Sequence, residues 1–158
     1  TCRELALLVH DMNLRVVSNS IDVLFLLADA VGIALYSLGG SYRRDAGSFI
    51  GPLSVAALKD FQLDISFLGT TGFTGDGVFS AQNLIASEVK KEAVHSSRRS
   101  VVLSDSSKFG IKAFSVFARD EDIDILVTDK NEAIIKDLEQ MNIEIMFAET
   151  EQHREEDT

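Results

Sequence analysis

Residues 101–110 read VVLSDSSKFG. An apolar, β-favouring run stops abruptly at Asp105, Ser106, Ser107 and Lys108. A buried strand that ends in a carboxylate, two hydroxyls and an ammonium delivers those groups to one edge of a sheet, and open α/β folds bind ligands at that edge.

Outward from this segment, strand and helix patterns alternate. Downstream, strands are predicted over 113–117 and 123–128, then a helix over 131–141 and a last strand over 143–147. Upstream, GTTGFTGDG at 69–77 is a glycine-dense loop between a strand over 65–68 and a helix over 81–97, whose Leu84, Ile85, Val89 and Ala93 can face a sheet. Gly51-Pro52 sets proline in the first turn of a helix running to about 61, where its missing N–H costs nothing. A buried strand is expected over 33–37, closed by Gly39-Gly40, and then a polar loop over 41–49 with the basic pair Arg43-Arg44. The run 14–18 passes through Ser18-Asn19-Ser20, a natural N-cap, into a helix over 21–30. The chain opens inside a helical pattern over 1–11 and without methionine, as expected of a piece of a longer protein.

These lengths predict an α/β fold: βαβ units forming a mostly parallel sheet flanked by helices on both faces. With 158 residues, 46% of them hydrophobic, the chain suits one domain over 1–148 with a sizeable core. The tail ETEQHREEDT at 149–158 is acidic and poor in apolar residues, and is expected to be disordered.

Composition excludes several functions. Acids outnumber bases by 25 to 15, whereas a duplex-binding module needs a basic face for phosphate contacts. This stretch is not expected to bind DNA itself. No apolar run approaches the ~18 residues of a membrane span and no signal-peptide pattern is visible, so no membrane partner is expected and cytoplasmic location is the default. Cys2 is alone, His10, His95 and His153 do not cluster in sequence, and neither HExxH nor CxxC occurs. Neither a metal nor a cofactor is expected. The 69–77 loop lacks the Gly-Lys-Ser/Thr of a P-loop and the setting of a dinucleotide fingerprint. Asp22, Asp64, Asp122, Asp124 and Asp129 read as caps and turns.

In a parallel sheet the loops after each strand converge at one edge. Three of them here are rich in small polar groups: Ser18-Asn19-Ser20, Gly69-Thr70-Thr71-Gly72 and Asp105-Ser106-Ser107-Lys108. Exposed amides, hydroxyls and a lysine suit a phosphate-sized anion. Each loop also has a plain structural reading, as a helix cap, as a turn that needs glycine, or as a strand end. On the following helix Glu88, Lys90 and Lys91 lie towards the margins, where Glu88 can hold either Lys91 or a ligand hydroxyl.

The succession VVSNS at 16–20, LGG at 38–40, FIGP at 49–52, FLGTTGF at 67–73, SEVKKEAV at 87–94, LSDSSKFG at 103–110 and IDILVTD at 123–129 resembles the sugar-phosphate-sensing domain of the DeoR family of bacterial transcriptional regulators. The resemblance implies a fold similar to ribose-5-phosphate isomerase and glucosamine-6-phosphate deaminase. It also implies an N-terminal helix-turn-helix domain that binds operator DNA and is absent from this chain, a homodimer or higher homo-oligomer, and a phosphorylated sugar as effector. By the same resemblance the effector-binding positions fall on Ser18, Asn19, Ser20, Gly69, Thr70, Thr71, Gly72, Glu88, Lys90, Asp105 and Lys108. The family's Asp-x-Gly-Thr-Thr loop, ahead of the first helix, survives at most as Thr1. The expected function is therefore effector sensing without chemistry. The alternatives are an isomerase or deaminase on the same fold and a ligand-free dimerisation module.

Overall fold

A computed structural model describes residues 2–148. In chain order its elements are α1 (Cys2–Val9), β1 (Leu14–Ser18), α2 (Ile21–Leu27), β2 (Ile33–Ser37), β3 (Ser41–Arg43), β4 (Ser48–Ile50), α3 (Pro52–Lys59), β5 (Ser66–Gly69), β6 (Gly72–Phe73) and β7 (Val78–Ala81). They continue with α4 (Leu84–His95), β8 (Ser100–Leu103), β9 (Ser115–Arg119), β10 (Ile125–Asp129), α5 (Ile135–Leu138) and β11 (Glu144–Ala148). Strands β11, β10, β8 and β5 lie in that order in one parallel sheet, with β8 inside it. Gly69 is level with Leu103, and Leu103 with Val127, so these three strands end together. β1 and β2 form a separate parallel pair.

Strand alternation sends neighbouring residues to opposite faces, and because both faces are covered β8 is apolar from Val101 to Leu103. Val101 and Leu103 pack with Ile125 against Cys2 and Leu5 of α1. Val102 turns the other way, joining Leu68, Leu126, Phe73, Phe79 and Phe117 in the largest core cluster, together with Leu138 of α5 and, at its margin, Ala93 and Val94 of α4. The sheet is thus flanked by helices on both faces, as expected. On the second face they share the space with an antiparallel layer, β6-β7-β9. Phe79 is fully buried, stacked 6.1 Å from Phe73 and tilted 6.4 Å from Phe117. Phe79→Ala should therefore cost about 3–5 kcal/mol in a denaturant titration. A loss below ~1 kcal/mol would mean that the layer is not packed as described.

That layer is the main departure from the sequence expectation. Residues 78–81 form a strand where none was expected, and the helix predicted over 81–97 starts only at Leu84, capped by Asn83, whose side chain accepts the Ala86 N–H at 3.0 Å. The strand predicted over 113–117 begins at Ser115 and pairs antiparallel with β7, so it does not belong to the parallel sheet. The helix predicted over 131–141 shrinks to α5, and the loop predicted over 41–49 contains the hairpin β3–β4. Pro52 opens α3 as predicted. The acidic tail 149–158 lies outside the described residues.

Candidate functional site

The edge where β5, β8 and β10 end carries most of the polar positions singled out in the sequence. Just past β8, the Asp105 side chain caps the 3-10 turn Ser106–Lys108, accepting the Ser107 N–H at 3.2 Å and the Ser107 hydroxyl. Ser106 points to the end of β10 instead. Its N–H and hydroxyl donate to the two carboxylate oxygens of Asp129, at 2.5 and 2.6 Å, and Asn131 Nδ2 donates to the same hydroxyl at 3.2 Å. Hydrogen bonds from Ser106, the hydroxyl first, lower the Asp129 pKa from its ordinary value. Contacts that depend on this carboxylate are present above the ordinary aspartate range and are lost as pH falls through the lowered value.

Lys108 ends that turn. It is partly buried, and its ammonium has no hydrogen-bond or ion-pair partner among the described residues. Lys90 reaches the same edge from α4: its Nζ donates to the Gly69 carbonyl at 2.5 Å and lies 5.3 Å from the centre of the Phe117 ring. Burial lowers its pKa from the ordinary lysine value and outweighs the opposing effect of Cys2. An ammonium held out of water by one carbonyl and one ring is short of negative charge, and no carboxylate pairs with it among the described residues.

The other positions divide. Glu88 sits two residues before Lys90, on a different side of the helix, where it is exposed and pairs with Lys91 at 3.0 Å. The Thr70 hydroxyl is shared between the carbonyls of Gly72 and Ser80, at 2.8 and 2.9 Å, while Thr71 is exposed and its N–H donates to the Ser80 carbonyl. Gly72 does not have positive φ; a Cβ there would lie 2.2 Å from the Ile111 carbonyl oxygen, so the residue permits a close backbone crossing. Only Gly77 in the 69–77 loop needs positive φ. At the end of β1, Ser18 Oγ accepts the Ser20 N–H at 3.1 Å, and Asn19 Nδ2 donates to the Phe49 carbonyl at 2.9 Å, tying this loop to β4. Ser20 occupies the N-cap of α2 without a side-chain bond.

Asp129 and Asn131 were not among the expected site residues, since an aspartate after a strand reads as a turn. The signal available was position: IDILVTD ends its strand beside LSDSS, and in a parallel sheet those ends meet. Asp129→Ala should free the 106–108 turn, so that the Ser106 amide exchanges roughly ten-fold faster with deuterium. Unchanged exchange would remove Asp129 from the site.

Two concavities lie elsewhere. One runs along α4 and β9 past Lys91, His95 and Arg119; the other opens near Asp124 and Glu144, away from the strand ends discussed above. Among the described residues no His, Cys, Asp and Glu cluster fits a metal ion, and no helix is long and apolar enough to cross a membrane.

Comparison with known proteins places the chain. The sequence model of the DeoR C terminal sensor domain matches residues 1–130. The chain is similar to the transcriptional repressor AccR of Agrobacterium fabrum, with 33% identity over 118 residues, covering 74% of this chain and 46% of that protein. It is similar to the glycerol-3-phosphate regulon repressor of Haemophilus influenzae, with 30% identity over 143 residues and coverages of 90% and 55%. It is also similar to the HTH-type transcriptional repressor GlcR of Bacillus subtilis, with 26% identity over 149 residues and coverages of 93% and 57%. The chain spans about half the length of these relatives, all of them transcriptional regulators. With the family's sensor domain matched over most of its length, the chain belongs to the DeoR family.

Proposed function

We propose that residues 1–148 are the effector domain of a transcriptional repressor and that the ends of β1, β5, β8 and β10 bind a phosphorylated sugar or a related small anionic metabolite. The observation that carries this reading is the pair Lys90 and Lys108, two ammonium groups without carboxylate partners among the described residues, at the ends of adjacent strands in a chain of formal charge −10. Fixed positive groups at one edge of an acidic surface select a compact anion over a nucleic acid. One relative's name refers to glycerol 3-phosphate, a small phosphorylated polyol.

Lys108 and Lys90 supply charge to the phosphate. Amides at Gly69 to Gly72, the Thr71 hydroxyl and the Ser18 to Ser20 loop hold its oxygens, and Asp105 orients the lysine turn. Glu88 serves at the rim, through Lys91. DNA is bound by a separate N-terminal domain, the regulator works in the cytoplasm as a homodimer or higher homo-oligomer, and effector binding changes operator occupancy.

Lys108→Ala should abolish the rise in melting temperature produced by phosphorylated sugars while leaving the unliganded stability within about 0.5 kcal/mol of wild type, since the ammonium has no partner among the described residues. An unaltered ligand shift overturns the assignment. The domain performs no chemistry of its own. A sugar-phosphate isomerase needs a carboxylate free to act as general base, whereas Asp105 is used on Ser107, Asp76 on Thr74, Asp129 on Ser106 and Glu88 on Lys91. Incubation with pentose and hexose phosphates should give no ketose–aldose conversion by NMR, and turnover would establish an enzyme instead.

A further inference from the structure

Lys90 and Lys108 stand at the ends of β5 and β8. On the far side of β8 the same parallel sheet continues with β10, and the end of that strand carries the opposite charge. Asp129 is the last residue of β10, and Ser106 gives its carboxylate both an N–H and a hydroxyl. The lysine turn and this carboxylate are therefore fixed to each other through one residue, two positions before Lys108. Neighbouring strands lie about 4.8 Å apart, so the ends of β5 and β10 are separated by about 10 Å, a span that a pentose or hexose with one phosphate fills.

Asp129 keeps acceptor capacity. A carboxylate offers about four lone-pair sites, and Ser106 uses two of them. The residue is partly exposed, as is Asn131, whose Nδ2 donates to the same Ser106 hydroxyl at 3.2 Å. Hydrogen bonds from Ser106 first, and the nearby Thr128 hydroxyl last, lower the Asp129 pKa, so the group is charged at neutral pH. Thr128 points the same way. Its side chain is 2% exposed, and its hydroxyl has no hydrogen-bond partner among the described residues. A buried hydroxyl in that condition is costly, and native structures pair such groups with protein, water or ligand. Alternation sets Thr128 on the face of Leu126, which also carries the Phe117 ring that Lys90 lies against.

We propose that the end of β10 is the specificity end of the effector site: Asp129 and Thr128 hold a ligand hydroxyl, and the Asp129 carboxylate excludes a second phosphate. The effector is then a sugar with a single phosphate. This rests on the reading of Lys90 and Lys108 as phosphate ligands, and adds to it a choice between monophosphates and bisphosphates. A sugar hydroxyl donates a charge-assisted hydrogen bond to a carboxylate, whereas a phosphate dianion has no proton to give. It would also set like charges against each other in a partly buried place, where salt screens poorly. Two ammonium groups alone favour the more highly charged ligand, and the carboxylate reverses that order.

The test is calorimetric titration with ribose, fructose and glucose monophosphates, each beside the bisphosphate of the same sugar. The wild-type protein should bind its best monophosphate at least ~10-fold more tightly than the matching bisphosphate. Asp129→Asn keeps an acceptor for the Ser106 N–H and removes the charge, and should bring that ratio to about one or below. A loosened 106–108 turn weakens both ligands alike and does not imitate this change in ratio. Thr128→Val should raise the unliganded melting temperature, by removing an unpaired hydroxyl, while weakening the monophosphate about five-fold. A wild-type protein that takes the bisphosphate as tightly, an Asp129→Asn variant with its ratio unchanged, or a Thr128→Val variant of full affinity each overturns the proposal. Failure of the underlying reading looks different: no phosphorylated sugar binds, or binding survives Lys108→Ala, and the proposal falls with it.

Discussion

Gly72→Ala is expected to destabilise the protein by about 3 kcal/mol, or roughly 6–12 °C in melting temperature for a chain of this size. The added Cβ would lie 2.2 Å from the Ile111 carbonyl oxygen and 2.7 Å from the Ile111 Cβ, so one of the two backbones has to move. Movement is costly on either side. β6 is bound to β7 and carries the fully buried Phe73 ring, and the 110–113 segment is tied down by Gly110 N–H to the Phe73 carbonyl at 2.8 Å and by Ala113 N–H to Ser80 Oγ at 2.9 Å. Lys108 lies three residues before Ile111, so the displacement should also weaken effector-dependent stabilisation. A variant melting at the wild-type temperature would show that 110–113 is not held against β6.

Lys90→Met is expected to raise the unliganded stability by about 1 kcal/mol and to remove the effector-dependent shift altogether. The gain comes from deleting an ammonium that burial leaves poorly compensated, offset in part by the lost bond to Gly69. The pH dependence carries a distinct sign. Because the folded-state pKa of Lys90 is lowered, between that value and the ordinary lysine value the unfolded chain keeps a proton that the folded chain has released. Stability contributed by this group therefore rises with pH through that window, and the variant should lack that part of the rise. A methionine variant that is less stable across the range, with its effector shift intact, would make Lys90 a structural support.

The parallel sheet was legible because β8 and β10 are buried on both faces and read as unbroken apolar runs, bounded by residues such as Asp105 and Asp129 that stop them. The β6-β7-β9 layer was not, because Val78 to Ala81 is short and follows a glycine loop, so its apolar pattern merged with that of α4. α5 shrank because Asn131 caps its own turn, accepting the Ala133 N–H at 3.1 Å, and within α5 itself Leu138 is the one residue buried in the core. Of the proposed site, Asp105 and Lys108 were legible as the polar end of an apolar strand, whereas Lys90 came from the family resemblance, since on its own helix it read with Glu88 and Lys91 as a charged margin. Glu88 could not be placed, since only the helix phase decides between Lys91 and the sheet edge. Asp129 was hidden because its partner, Ser106, is 23 residues away in sequence. The role of Gly72 follows from a crossing segment, a contact that spacing does not encode.

The central claim is that the strand ends bind a phosphorylated small molecule through Lys90 and Lys108. Calorimetric titration of the protein with a panel of sugar phosphates, each beside its unphosphorylated sugar and inorganic phosphate, tests it most directly. The predicted result is saturable binding of at least one sugar phosphate, absent for the matching free sugar and lost in Lys108→Ala. Equal binding of free and phosphorylated sugars, or binding untouched by Lys108→Ala, would contradict it.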